Sequence, residues 1–517
     1  MKKKKDLFDL IRSMTKSEKR YFKLFSSLHT IGSKNNYVTL FDAIEKQKEY
    51  DEEVIVKLFS KEQFVKRLPV AKDYLYRLIM KALHSYHSNT SVNSIIKEQL
   101  HCIEILYKKK LYDQCQRNLS GIKILAKKYE QHLHHYEIIM WESKLMSAAA
   151  FANKTEKDIE RFYGEGKNIL KKLENIIEYM NLSFKLHINL SKGGVFARNS
   201  REFEKIKSIR DEPLLRFEKN ALSDAARIWY YNFNLTYFFY TGDYTNAYTY
   251  AKKEFGLVES NLDAVEQETK RYITSLYNLL TICLKLKKEN EINIHLKQLR
   301  TISERFNIKN KQDTLVYSFV FSYRVESRMY IISGQFNKGI LIIPEIENGL
   351  EQYKGKLNKP AELEFYMNIS LLYFGSEKYR KALLWINKIL NESKTDVRQD
   401  IFIYARIINL IIHFELGNEE LLERIVKSTY YFLHKRNKLY QFETIILNFI
   451  RKELQKIKTK EELIEAFKKL KSQIVKISKD PYEEKVLQYF DFISWLESKI
   501  ENRPFASIVK EKWEKNT

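Results

Sequence analysis

Residues that interrupt helices are scarce in this chain, which holds only 14 glycines and 6 prolines among 517 residues. Inside a helix, glycine costs about 1 kcal/mol and proline about 3 kcal/mol relative to alanine, so long helices exclude both. Hydrophobic residues make up 44% of the sequence and recur at helical spacing, which is enough to bury a core. We therefore expect an all-α protein whose helices stack side by side along the chain.

The clearest local pattern spans residues 229–255 and reads WYYNFNLTYFFYTGDYTNAYTYAKKEF. It predicts two helices joined by a tight turn at residues 241–243. Ala247 and Ala251 lie on one face of the second helix, where small side chains let the first helix come close. Comparable turns are expected near residues 288, 334, 377 and 417, at intervals of 40 to 46 residues. Self-similarity at such a period is typical of stacked helical hairpins.

The same residues resemble a known repeat family. The tetratricopeptide repeat (TPR) consensus, in which G-D/N-Y-x-x-A opens the second helix, is similar to the pattern of Tyr231, Leu235, Phe238, Gly242, Asp243, Tyr244, Ala247 and Ala251. The resemblance covers residues 230–435 and, in part, 96–130. It implies a right-handed α-solenoid of TPR-like helical hairpins. In its opening LFDLIRSMTKSEKRYFKLF and its close FDFISWLESKIENRPFASIVK, the whole chain also resembles a group of uncharacterised bacterial TPR-like proteins. This resemblance brings no activity with it.

Four segments follow from this pattern. Residues 1–90 are expected to form an N-terminal helical cap domain, 91–228 irregular TPR-like hairpins, 229–435 the regular repeat solenoid, and 436–517 a C-terminal helical cap with a frayed tail from Lys510. Helical caps are expected at both ends because an open stack would expose its core. Capping boxes at residues 15–18 and 459–462 predict helix starts in the two caps. The sequence leaves open whether residues 132–228 form regular repeats.

The chain carries a net charge of +24. Such an excess favours an anionic partner such as nucleic acid or a ribosomal surface. Lysine is also the ordinary residue of solvated helix faces, and the excess is spread along the chain, so composition explains it equally well. A third alternative is a transcription regulator whose N-terminal helices form a helix-turn-helix. Its DNA-facing residues would then be Lys72, Tyr76, Arg77 and Lys81.

Catalytic and metal-binding signatures are nearly absent from the sequence. Residues 191–194 lack the second half of a phosphate-binding loop, and neither HExxH nor GxSxG occurs. The densest histidine cluster, at His132, His134 and His135, is interpreted as a solvated helix face because a metal site needs three or four convergent ligands. We therefore expect no enzyme activity, no cofactor and no bound metal.

The cysteines and the hydropathy of the chain indicate in which cellular compartment the protein is expected. Three cysteines without a CxxC pair suit a reducing environment. The basic start is followed by charged residues that interrupt any signal-peptide core, and no stretch is apolar enough to span a membrane. A cytoplasmic location is expected.

The TPR resemblance also implies a binding surface, since the first helix of each hairpin lines a concave groove in that fold. Carrying the register across predicts a partner-binding groove at Trp229, Asn232, Thr236, Asn278, Arg324, Arg328 and Asn368. Asparagine can pair with an extended backbone, and arginine can fork onto a carboxylate or phosphate. The leading interpretation is a non-enzymatic protein-binding adaptor or scaffold that holds a peptide or protein partner there. Neither the partner's identity nor the oligomeric state follows from the sequence.

Overall fold

The computed structural model describes residues 5–28, 36–193, 200–261, 268–306, 311–392, 398–436, 439–480, 483, 487 and 489–515. Within these ranges every regular element is helical. The prediction of an all-α protein is therefore confirmed. Backbone contacts divide the chain into two compact units, Met1–Ile169 and Leu170–Thr517, which are described separately. The boundary falls inside the stretch where irregular hairpins were expected.

In the first unit, a capping box begins the second helix. The Thr15 hydroxyl accepts a hydrogen bond from the Glu18 amide at 3.2 Å, and the Glu18 carboxylate accepts one from the Thr15 amide at 2.6 Å, as predicted. One apolar cluster joins the first five helices, and a second joins the next three. The helices are α1 (Asp6–Ser13), α2 (Lys16–Ser27), α3 (Asn36–Glu45), α4 (Glu52–Leu58), α5 (Leu68–His87), α6 (Val92–Lys108), α7 (Tyr112–Lys128), α8 (His132–Ala148) and α9 (Glu156–Gly193), of which α9 continues into the second unit.

The second unit consists mainly of consecutive helix pairs. Short 3₁₀ segments and a π turn connect some of its elements. Its helices are α10 (Ser200–Arg210), α11 (Asp224–Thr241), α12 (Tyr244–Glu259), α13 (Thr269–Lys285), α14 (Glu289–Arg300), α15 (Ile302–Arg305), α16 (Lys311–Ile332), α17 (Phe336–Gly339), α18 (Ile343–Gln352), α19 (Lys359–Gly375), α20 (Tyr379–Leu390), α21 (Gln399–Glu415), α22 (Glu419–Lys435), α23 (Gln441–Asn448), α24 (Lys460–Ile477), α25 (Phe492–Ile500) and α26 (Phe505–Lys515).

The five predicted turns each separate two helices of this unit. The pairs are α11 with α12, α13 with α14, α16 with α17, α19 with α20, and α21 with α22. From α13 onward, the first helix of each pair also packs against the first helix of the next. Small residues permit the close approach of the two helices within a pair: Ala247 is fully buried, and a Cβ built on Gly339 would lie 3.0 Å from Tyr330 Cβ on α16 and would clash with Leu372 on α19. Gly339 thus meets the steric requirement that alanine meets in the first pair.

The last helices, α25 and α26, lie against the turns of several pairs. Phe505 stacks on Phe336 with ring centroids 5.5 Å apart, and Trp513 Nε1 donates to Glu289 Oε1 at 2.8 Å. Trp495 Nε1 donates to the Glu415 carboxylate at 2.6 Å. These contacts involve three different pairs. We refer to the described residues within 487–515 as the C-terminal segment.

The expected fraying from Lys510 is wrong. Helix α26 continues to Lys515, and Trp513 is only 8% exposed. The indole anchors the last turns because its ring is buried and its N–H donates to a carboxylate.

As for membrane insertion, the described ranges contain no helix that combines the length and the apolar character needed to cross a bilayer.

Candidate functional site

A pocket of about 750 Å³ lies within the second unit. One side is formed by α11, α13, α16, α19 and the start of α21, which are the first helices of the five pairs. The other side is formed by the C-terminal segment. From α13 onward each first helix packs on the next, and side chains from pairs that are distant in sequence therefore meet on one recessed surface. The volume is within the range of pockets that hold small organic ligands.

An ionic chain runs along the wall of this pocket. The Glu364 carboxylate pairs with both Arg324 and Arg398, and Arg398 Nη2 also lies 2.7 Å from Asp400 Oδ2. The Tyr489 hydroxyl donates to the same Asp400 oxygen at 2.7 Å. Burial raises the pKa of Asp400, but its bonds to Arg398 outweigh this effect and keep the pKa below its ordinary value. The carboxylate is therefore ionised and holds Arg398 and Tyr489 in place.

Arg328 lies one helical turn beyond Arg324 on the same side of α16. Its Nη1 donates to the backbone oxygen of Tyr489 at 3.4 Å. Burial lowers the pKa of Arg328. The ordinary pKa of a guanidinium group is so far above neutral pH that the side chain still remains charged. The Tyr489 ring stacks on Tyr404, with centroids 3.8 Å apart. Tyr489 thus connects α16 and α21 to the C-terminal segment.

The C-terminal segment is also held near the start of α14. Lys287 Nζ donates to the Trp513 backbone oxygen at 3.0 Å and lies 4.5 Å from the centroid of the indole ring. Burial lowers the pKa of Lys287. A cation over an indole face is attracted by the ring quadrupole, which adds to the hydrogen bond.

Three of the residues predicted to line a groove are found at this pocket. Arg324 and Arg328 contribute from α16, and Asn368 contributes from α19. The two arginines are brought together with Arg398 and Glu364, which the sequence did not single out. Their arrangement can hold an anionic group, because a guanidinium presents several N–H donors in one plane.

The other four predicted residues lie elsewhere. Asn232 and Asn278 donate their side-chain amides to the Glu254 carboxylate at 3.3 and 3.5 Å. Thr236 is buried in α11. The Trp229 ring meets Phe184 edge to face, with centroids 5.9 Å apart. None of these four is among the described residues that line the pocket.

Glu254 forms a separate polar centre inside the unit. It is 3% exposed, and burial raises its pKa to about 7, although the hydrogen bonds from Asn232 and Asn278 act in the opposite direction. Two amide donors compensate part of the cost of burying a carboxylate but do not supply a counter-charge. The two asparagines therefore have a structural role in joining α11 and α13 through α12.

Sequence reasoning missed several aromatic and charged residues of the pocket. Helices α11 and α13 contribute Tyr240 and Tyr277, and Tyr277 directly precedes the predicted Asn278. A helical register shifted by one position would have predicted Tyr277 in place of Asn278. Tyr489 and Trp513 come from a segment expected to form a cap and a frayed tail. Trp513, in an otherwise lysine-rich stretch, could have indicated that this segment packs against the rest of the chain, because a large apolar side chain is usually buried.

Residues named in the alternative hypotheses also have defined surroundings in the first unit. Lys72 Nζ donates to the Tyr50 hydroxyl at 2.7 Å and to Glu52 Oε2 at 2.8 Å, while Arg77 is exposed and pairs with Asp73. Lys72 therefore stabilises its own unit by linking α5 to the start of α4.

The interpretation of the histidine cluster as a solvated face is wrong. His132, His134 and His135 are all buried, and His135 Nε2 lies 3.1 Å from Glu165 Oε1. Burial lowers the pKa of His135. Across the described ranges, no group of three or more His, Cys, Asp or Glu side chains is arranged to hold a metal ion.

Comparison with known proteins adds no assignment. No family model matches the chain, and no curated protein matches it significantly.

Proposed function

We propose that this protein is a non-enzymatic adaptor or scaffold that holds a peptide or protein partner. In this proposal the helix pairs form a right-handed, TPR-like solenoid with helical caps, and the protein works in the cytoplasm. The supporting observation is that the first helices of five pairs contribute side chains to one recessed surface. A surface assembled from repeated elements suits an extended partner, because each pair can contact a successive part of it.

Charge reversal at the pocket provides the main test. The double variant Arg324→Glu/Arg328→Glu should lose partner capture from the native lysate, because both side chains would then repel an acidic partner segment. The matched control is Arg227→Glu/Arg271→Glu, since each of these arginines is partly exposed and pairs with an acidic residue three positions earlier. Circular dichroism verifies that both variants remain helical. Unchanged capture by the pocket variant would contradict the assigned surface.

The charge of +24 supports a second candidate, a nucleic-acid or ribosome-associated binder. Affinity should then fall steeply with salt, because every neutralised phosphate releases counterions. The same pull-down, run with and without nuclease and at two salt concentrations, separates the two functions. Partners that disappear on nuclease treatment would favour the second candidate. Deleting residues 1–90 would test the helix-turn-helix alternative, since only that function requires them for a DNA shift.

A further inference from the structure

The described lining of the pocket carries more positive than negative charge. Its six cationic residues are Lys285, Lys287, Arg324, Arg328, Arg398 and Lys512, whereas its acidic residues are Glu364 and Asp491. Three further carboxylates lie just outside the lining, at Asp400 beside Arg398, at Glu497 beside Lys512 and at Glu289 beside Trp513. Cations still exceed anions when these are counted. In a recess where the Arg324 and Arg398 side chains are only 21% and 24% exposed, such an excess favours an anionic occupant more than it would on an open surface.

Flat aromatic faces line the same pocket and are held in fixed positions. Tyr277 stacks on Phe321 with centroids 4.2 Å apart, and the Arg324 guanidinium lies 5.3 Å from the Tyr277 centroid. On the opposite side, Phe490 stacks on Phe505 at 5.4 Å. Rings fixed by such stacking offer rigid apolar contact area to a planar ligand.

We propose that this pocket binds a small organic anion with an aromatic body, an aryl carboxylate or an aryl phosphate. Its charged group would lie on the arginine side, near Arg328, and its ring would lie between Tyr277 and the aromatic residues of the C-terminal segment. The ligand would thereby bridge α16 and the C-terminal segment. This goes beyond the adaptor function, because the occupant is a small molecule and needs no macromolecular partner.

The test uses the full chain and two matched pairs of naphthyl probes. One pair is 1-naphthylacetate with 1-naphthylacetamide, and the other is 1-naphthyl phosphate with 1-naphthol. Within each pair the ring is the same and only one member carries charge. Ligand-observed NMR and calorimetry should give affinities for at least one anion about tenfold or more above its neutral counterpart, as expected for a charge-assisted hydrogen bond. The pair with the larger ratio identifies the preferred anionic group.

Variants assign the binding to this pocket. Arg328→Gln should reduce the affinity for the anion to that for its neutral counterpart, whereas Arg227→Gln, on the surface of α11, should leave it unchanged. Lys512→Gln changes a second, partly exposed residue of the pocket and leaves its three arginines intact. This variant should weaken anion binding several-fold. Equal binding of charged and neutral probes, no binding of either anion, or wild-type affinity in both pocket variants would overturn the proposal. Partner capture is measured separately, so failure here leaves the adaptor function standing.

Discussion

The Tyr489 hydroxyl donates a 2.7 Å hydrogen bond to the Asp400 carboxylate, which lies 89 residues earlier in the chain. Asp400 also pairs with Arg398, whose guanidinium reaches the Glu364 carboxylate on α19. A single phenol therefore connects the C-terminal segment to an ionic chain shared by α16, α19 and α21.

Tyr489→Phe should lower the free energy of unfolding by about 1–2 kcal/mol, because a hydrogen bond to a charged acceptor is lost without opening a cavity. Urea unfolding measures the change. Tyr431→Phe is the control, since Tyr431 is 68% exposed. Equal unfolding midpoints for the two variants would show that the Tyr489–Asp400 bond contributes no stability.

Glu254→Gln should change how stability depends on pH. The pKa of Glu254 is raised from 4.5 to about 7 by burial, so between these values the folded state binds a proton that the unfolded state has released. Stability must then fall as pH rises through that window. At about 1.4 kcal/mol for each pKa unit, the loss is about 3 kcal/mol by pH 7.

The amide that replaces the Glu254 carboxyl has no proton to release in this pH range. The variant should therefore lack this component of the pH dependence. Its single amide oxygen keeps one of the two hydrogen bonds from Asn232 and Asn278, and the other asparagine must turn its amide to accept from the glutamine NH2 group. Urea unfolding of both proteins at pH 5 and pH 7.5 gives the comparison. Glu351→Gln, at an exposed position paired with Lys354, controls for removal of a carboxylate. Parallel pH profiles for the wild type and Glu254→Gln would contradict the shifted ionisation.

Gly334→Ala should weaken the packing of α26 against the turn between α16 and α17. The backbone φ at Gly334 is +69°, and a Cβ there would lie 2.7 Å from the Lys510 amide nitrogen and 2.8 Å from the Ala506 carbonyl oxygen. Gly417 is a matched control, because its φ is also +69° but no atom lies within 4 Å of its built Cβ. Gly417→Ala should cost about 1 kcal/mol for backbone strain alone.

The cost at Gly334 should exceed that at Gly417, since α26 must move as well. Thermal unfolding compares the two variants, and limited proteolysis reports whether α26 is released. Identical melting temperatures and identical cleavage would mean that α26 does not pack against this turn.

Glu165→Gln should make the first unit less sensitive to acid. Burial raises the pKa of Glu165, but hydrogen bonds from Lys127 and Lys123 outweigh it and bring the pKa down to about 2. A depressed carboxyl pKa stabilises the fold above its unfolded value of 4.5, and this contribution is lost as pH falls from 4.5 towards 2. The variant is thus less stable at neutral pH and shows a smaller loss on acidification. Circular dichroism from pH 7 to pH 2 measures the loss of helical structure in the two proteins. An unchanged acid transition would argue against the pairing of Glu165 with Lys123 and Lys127.

Helices and turns could be predicted from the sequence because their signals are local. The capping box at Thr15 acts on residues three positions later, the small Ala247 lies in a hairpin with the helix directly before it, and each is found as predicted. The candidate site depends on distant contacts instead. Trp513 packs at Lys287, 226 residues away, and the periodicity of one chain carries no information about such a pairing. Helical register gave Arg324 and Arg328 a common side of α16, but the one-residue difference between Asn278 and Tyr277 decides which side chain reaches the pocket.

The position of the C-terminal segment in the pocket wall has a consequence for synthesis. Ribosomes make α11 to α21 before they make Tyr489 and Trp513, so a nascent chain can stack its helix pairs while one side of the pocket is still missing. A chain that is still being translated therefore cannot bind a ligand that needs both sides of the pocket. It can bind such a ligand only after the C-terminal segment has been made and has packed against the helix pairs. Synthesis of the C-terminal segment would therefore be required before the chain can bind such a ligand.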